Sequence, residues 1–150
     1  MIKILVVYAS LTGNTEEIAE LIAEGIRQSG GETVIKSVTD CNAFDIASYD
    51  GAVLGAYTWG DGELPDEFLD FYEELDEIDL AGMKAAVFGS GDTGYDIYCG
   101  AVDLIEAKLK ERGAVMVQTS LKIEYGPTAM EKEDCRKFGQ RFALACVGVS

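Results

Sequence analysis

Apolar runs alternate with helical periodicities along the whole chain, and that alternation restricts the fold more than any other feature. Residues 3–8 form a continuous apolar run. Residues 15–28 then place Ile18, Leu21, Ile22 and Ile26 on one helical face. Gly30-Gly31 closes that helix, and "ETVIKSV" at 32–38 reads as a second strand. A short helical turn at 43–49 precedes a third strand, "GAVLGAYT", at 51–58. Residues 66–77 read as an acidic helix with Phe68, Leu69, Tyr72 and Leu75 inward. "KAAVFGSG" at 84–91 is a fourth strand and residues 100–112 a helix with Val102, Ile105 and Leu109 inward. "AVMVQTSLKI" at 114–123 is a fifth strand, and residues 131–146 form the last helix.

Strands that are apolar on both faces and separated by helices pair in parallel through right-handed crossovers. The expected fold is α/β: a doubly wound five-stranded parallel sheet in the order 2-1-3-4-5, with helices on both faces and one domain spanning 1–150. Ligands in such sheets bind at the carboxyl ends of the strands, where the winding reverses. The loops at those ends begin at residues 9, 58 and 90, and all three are rich in Gly, hydroxyls or aromatics.

Composition narrows the ligand. The net charge is −15, with 27 acids against 12 bases. Nucleic acid and anionic membrane surfaces are therefore excluded as partners, since phosphate contacts need clustered Lys and Arg. There is no histidine, which removes Ser-His-Asp and Cys-His catalysis and imidazole-based zinc sites. Four cysteines, at 41, 99, 135 and 146, form no C-x-x-C pair and read as reduced thiols of a cytoplasmic protein. The N-terminus runs into a strand pattern rather than a signal peptide, and no apolar run approaches membrane-spanning length. No metal site and no catalytic residue is expected.

The first loop, "SLTGNT" at 10–15, puts three hydroxyls, a Gly and an Asn at the start of a helix. Helix N-termini offer unpaired N–H groups and a positive dipole end, so Ser10, Thr12, Gly13, Asn14 and Thr15 suit an anion. Asn14 with Glu17 three residues on also fits a capping box, but capping accounts for only one or two of these residues. The absence of G-x-x-x-x-G-K-[ST] and G-x-G-x-x-G argues against a nucleotide hydrolase or a dinucleotide fingerprint. Neutral donors alone suit one terminal phosphomonoester.

The loop after the third strand carries the only Trp, Trp59, and the loop after the fourth reads "SGDTGYDIYCG", with Tyr95 and Tyr98. Tyr98 also fits a core position. Trp59 and Tyr95 lie on the same rim as the phosphate loop and can sandwich a planar ring, at about 0.5–1.5 kcal/mol per stacked pair. A phosphate at one end and a flat heterocycle at the other describe flavin mononucleotide (FMN).

With these segments in place, the chain resembles the flavodoxin family across essentially its full length. The resemblance is carried by "SLTGNT" (10–15), "TWGDGE" (58–63) and "GSGDTGYDIYCGAVD" (89–103). It implies a phosphate held by Ser10, Leu11, Thr12, Gly13, Asn14 and Thr15. It implies Trp59 against the inner ring face and Tyr95 against the outer. Thr58, Gly60 and Asp61, together with Ser90, Gly91, Asp92, Tyr98 and Cys99, would complete the ring pocket. The uninterrupted passage from fifth strand to last helix resembles the short-chain type. The implied role is a low-potential one-electron carrier, cycling mainly between semiquinone and hydroquinone and shuttling electrons between redox proteins. Family resemblance further suggests that the Gly60–Asp61 peptide turns over on reduction.

Three other readings of the residues compete. "CRKFGQR" at 135–141 matches the C-x5-R spacing of phosphatase loops, but it lies inside a helical pattern. Tyr8-Ala9-Ser10 supplies none of the acids a signalling receiver needs. An FMN-dependent quinone or nitro reductase would need an open ring face. Residues 61–79 hold ten acids and no base, a solvated helix face that would also attract partners with basic docking faces. A monomer is expected.

Overall fold

The computed structural model describes residues 2–10, 13–58, 62–91, 99–124 and 126–147. Strand β1 (Lys3–Ala9) lies at the centre, where Ile4, Leu5, Val6 and Val7 are fully buried. It pairs in parallel with β2 (Glu32–Ser37) on one side and β3 (Gly51–Tyr57) on the other. Strand β3 pairs with β4 (Lys84–Gly91), and the sheet order is β2-β1-β3-β4-β5. The doubly wound architecture expected from the alternation is therefore present.

The fifth strand is not continuous. It divides into β5 (Val115–Met116) and β6 (Leu121–Glu124), both parallel to β4. Met116 stands opposite Ala85 and Leu121 opposite Phe88, so residues 117–120 face only Ala86 and Val87. The surplus residues turn their side chains into hydrogen bonds beside the sheet. Gln118 Nε2 donates to the Phe138 carbonyl at 3.0 Å, and Ser120 Oγ donates to Glu106 Oε1 at 2.9 Å.

Alternate strand residues feed two cores, as the pleat requires. Helices α1 (Asn14–Gln28) and α4 (Ala129–Cys146) cover Ile4, Val6, Val53 and Phe88 with Ile18, Ile22, Ile26, Phe138 and Phe142. Helices α2 (Asp66–Glu74) and α3 (Gly100–Glu111) cover Leu5, Val7, Leu54 and Val87 with Phe68, Phe71, Val102, Ile105 and Leu109. The inward stripe of α2 and the 3-10 turn that continues it is Phe68, Phe71, Tyr72 and Leu75, at i, i+3, i+4 and i+7. Leu69, expected inward, is 40% exposed because it lies one residue off that stripe.

Helices α1 and α4 cross backbone to backbone. A Cβ on Gly25 would overlap the Arg136 carbonyl oxygen, and one on Gly139 would overlap that of Ile22. Thr128 caps α4 in a capping box with Glu131, and at its other end Lys84 Nζ donates to the Ala145 carbonyl at 2.7 Å. The C-x5-R stretch lies within α4, where Cys135 is fully buried. All four cysteines are free thiols.

Candidate functional site

Three loops leave the sheet side by side. Ala9 of β1 pairs with Ala56 of β3, and Tyr57 with Ser90 of β4. Ser10 and Thr58 therefore follow adjacent strand ends and Gly91 closes the next strand, at the carboxyl edge where the winding reverses. Thr58 fastens the second loop to both ends of the third. Its amide donates to the Ser90 carbonyl at 3.1 Å, and its Oγ1 accepts from the Ala101 amide, in the first turn of α3, at 3.3 Å.

The first loop runs into α1 through Gly13, the N-cap, at φ 92°. That left-handed conformation favours Gly, because a Cβ would strain it. The alternative reading, a capping box of Asn14 with Glu17, does not hold: Asn14 is already the first helical residue, and no side chain among the described residues caps the helix. Instead the Gly13 amide donates to Ser10 Oγ at 3.0 Å, and the Glu17 amide donates to the Gly13 carbonyl at 3.0 Å. Among the described residues no side chain caps that dipole end, an arrangement that suits an anion. Thr15 is buried in the first turn, its Oγ1 2.8 Å from Ser90 Oγ.

The third loop begins and ends at one place. A Cβ on Gly91 would lie 2.8 Å from Cys99 Sγ and 3.0 Å from its backbone nitrogen. Only Gly permits that approach. Cys99 is fully buried at φ 52°, the one described non-Gly residue with positive φ, and it forms the N-cap of α3.

Acids surround this end of the sheet. Burial raises the Tyr57 phenol above its usual range, with Glu67 and Asp66 adding to the effect, and burial with Glu16 does the same for Tyr8. A hollow of about 490 Å3 lined by Phe44, Tyr49, Ile78, Leu80 and Met83 lies at the opposite end, before β3 and β4 begin.

Of the residues expected at the site, Ser10, Gly13, Asn14, Thr15, Thr58, Ser90, Gly91 and Cys99 lie at this carboxyl end. Leu11, Thr12, Trp59, Gly60, Asp61, Asp92, Tyr95 and Tyr98 lie outside the described residues. The sequence reading missed the loop after β6. A Cβ on Gly126 would stand 3.0 Å from Asn14 Oδ1, so that loop rests on the start of α1. Its place directly after the fifth strand is the signal that could have found it.

These observations define a class: a doubly wound α/β protein whose first and third strands end side by side where the winding reverses, with the start of α1 at one side and the close approach of Gly91 and Cys99 at the other. The family model described as Flavodoxin matches residues 6–139, and the chain belongs to the flavodoxin family. It is 49% identical over 146 residues to "Probable flavodoxin 2" of Bacillus subtilis, covering 95% of each chain. Among solved structures it resembles oxidised flavodoxin 1 of Bacillus cereus, with TM-score 0.90 and 50% identity over 93% of this chain and 96% of that one. Oxidised flavodoxin 2 of the same organism gives TM-score 0.92 and 49% identity, over 95% and 99%. Flavodoxins are electron-transfer proteins rather than enzymes, and their cofactor is FMN. The groups present fit it: uncapped donors at α1 for an anionic phosphate, and close backbone at Gly91 and Cys99 for the edge of a flat ring.

Proposed function

We propose that this chain is a low-potential one-electron carrier that acts as a single flavin-binding domain. Ser10, Leu11, Thr12, Gly13, Asn14 and Thr15 hold the FMN phosphate. Trp59 and Tyr95 cover the two faces of the ring; the loop backbone of Ser90, Gly91 and Asp92 and that near Cys99 meet its pyrimidine end and edge, and Thr58, Gly60, Asp61 and Tyr98 complete the pocket. FMN supplies the redox chemistry when bound. The chain binds and orients it, shields its faces from water and sets the field around it. The observation that carries this reading is the junction of Ser10, Thr58 and Gly91 at adjacent strand ends, beside an α1 terminus that no side chain among the described residues caps.

The acids of α2 and of the turn after it support a partner with a basic face. Asp70, Glu73 and half-buried Glu74 of α2 line one open hollow with Glu77 of the 3-10 turn that follows, within a chain of net charge −15. Redox proteins with basic faces, reductases as donors and low-potential acceptors, are the complementary class. The carrier works as a cytoplasmic monomer; four free cysteines agree with a reducing compartment. No helix among the described residues is long and apolar enough to cross a membrane.

Mixing the purified holoprotein with NADPH and a quinone tests this reading. The expected result is no turnover until a flavin reductase protein is added. Direct turnover by the chain alone would contradict it.

A further inference from the structure

Ser90 is tied to all three loops. Its carbonyl accepts the Thr58 amide, its hydroxyl meets Thr15, and Gly91 follows it directly. Both hydroxyls are out of water: Thr15 is 1% exposed and Ser90 5%. Their oxygens lie 2.8 Å apart, and either can donate.

Two hydroxyls carry two protons, and the bond between them uses one. If Thr15 donates to Ser90, its proton is unavailable to a ligand. If Ser90 donates to Thr15, the Thr15 proton is left for an acceptor at the start of α1. An ionised phosphate only accepts, so it selects the second arrangement. A donor chain that ends on an anion is polarised along its length, and each bond strengthens the next.

We propose that Ser90 is a positioning residue for the cofactor phosphate: it donates to Thr15 Oγ1 and so fixes the Thr15 hydroxyl as a donor to the phosphate. This rests on the phosphate lying at residues 10–15. Seventy-five residues of sequence separate the pair, and the contact exists because α1 returns over the end of β4. The effect runs through the side chain alone. Ser90→Ala keeps the carbonyl that holds Thr58.

FMN and riboflavin share a ring and differ in the phosphate, so their affinities separate this role from a general packing role. Apo protein carrying Ser90→Ala, Thr15→Val or both is titrated with each ligand. Ser90→Ala is expected to weaken FMN roughly threefold to tenfold, the loss of one net hydrogen bond, and to weaken riboflavin much less, because Ser90 meets the ring through backbone that the substitution keeps. Thr15→Val should weaken FMN at least as much, and the double variant should be no weaker than Thr15→Val. Equal weakening of FMN and riboflavin by Ser90→Ala, or losses that multiply in the double variant, would overturn the proposal. If Thr15→Val lowers FMN selectivity and Ser90→Ala does not, the role of Ser90 fails while the phosphate placement stands. If Thr15→Val leaves the selectivity unchanged, the placement fails and the proposal with it. Should Ser90→Ala not fold, Ser90→Cys, a weaker donor of similar size, is expected to show the same selective loss to a smaller degree. An unaltered FMN-to-riboflavin ratio in that variant would count against the proposal.

Discussion

The Thr58 amide donates to the Ser90 carbonyl at 3.1 Å, so the chain segments that lead to Trp59 and to Tyr95 leave the sheet from bonded neighbours. A ring held between those two residues would lie in contact with the only Trp of the chain. Trp59 fluorescence should therefore fall strongly when FMN is added to the apo protein and return when it is removed. Emission that ignores FMN would place Trp59 away from the ring.

Gly25 and Gly139 set two opposing effects against each other. Replacing a helical Gly with Ala ordinarily stabilises by about 1 kcal/mol. Here each new methyl would meet a backbone carbonyl of the facing helix, and backbone cannot yield as a side-chain tip can. Overpacking costs about 1–3 kcal/mol and sometimes more. Gly25→Ala and Gly139→Ala should both lower the urea midpoint of the apo protein. A raised midpoint in either would show that the helices can separate at little cost.

Thr33 is buried on β2, and its hydroxyl has no hydrogen-bond partner among the described residues. Removing an unsatisfied buried polar group while keeping the shape recovers its desolvation penalty, about 1–3 kcal/mol. Thr33→Val should raise the thermal midpoint of the apo protein. A lowered midpoint would mean that the hydroxyl is satisfied in solution.

Burial, helped by Asp134, Glu131 and Glu17, pushes the Cys135 thiol up to about 12, and burial likewise pushes Cys41 and Cys146 up to about 11. In the unfolded chain these thiols ionise near about 8.5. Above that pH the folded state holds more protons than the unfolded state, so stability falls as pH rises toward the folded values. Below about 8.5 the contribution is intact. The urea midpoint should drop between pH 8 and pH 10.5, and Cys135→Ala should make that drop shallower. An identical slope would assign the loss to other groups.

The strand–helix alternation was legible because Ile18, Ile22 and Ile26, or Leu5 and Val7, declare their faces through local spacing alone. The three loops were legible because hydroxyls, glycines and aromatics concentrate there. What escaped the sequence reading depends on distant partners. The fifth strand breaks because Gln118 and Ser120 find Phe138 and Glu106 on flanking helices. Leu69 and Phe71 compete for one helical face, and the stripe that also holds Phe68 and Leu75 decides between them. Asn14 looks like a cap until Gly13 takes that position. The Thr15–Ser90 pair has no local signature at all.

The central claim is that the bound flavin changes by one electron at a time beside an acidic rim, and a spectroelectrochemical titration of the holoprotein tests it most directly. One charge at about 12 Å, with an effective dielectric of about 40, opposes an added electron by roughly 0.7 kcal/mol. Asp61, Glu63, Asp92 and Asp96 together would supply roughly 3 kcal/mol, more than 100 mV at about 2.3 kcal/mol per 100 mV. Two separate one-electron steps are predicted, the second far below the first and rising when these four acids are replaced by Asn and Gln. A single two-electron step, or a second potential unmoved by the four substitutions, would contradict the account.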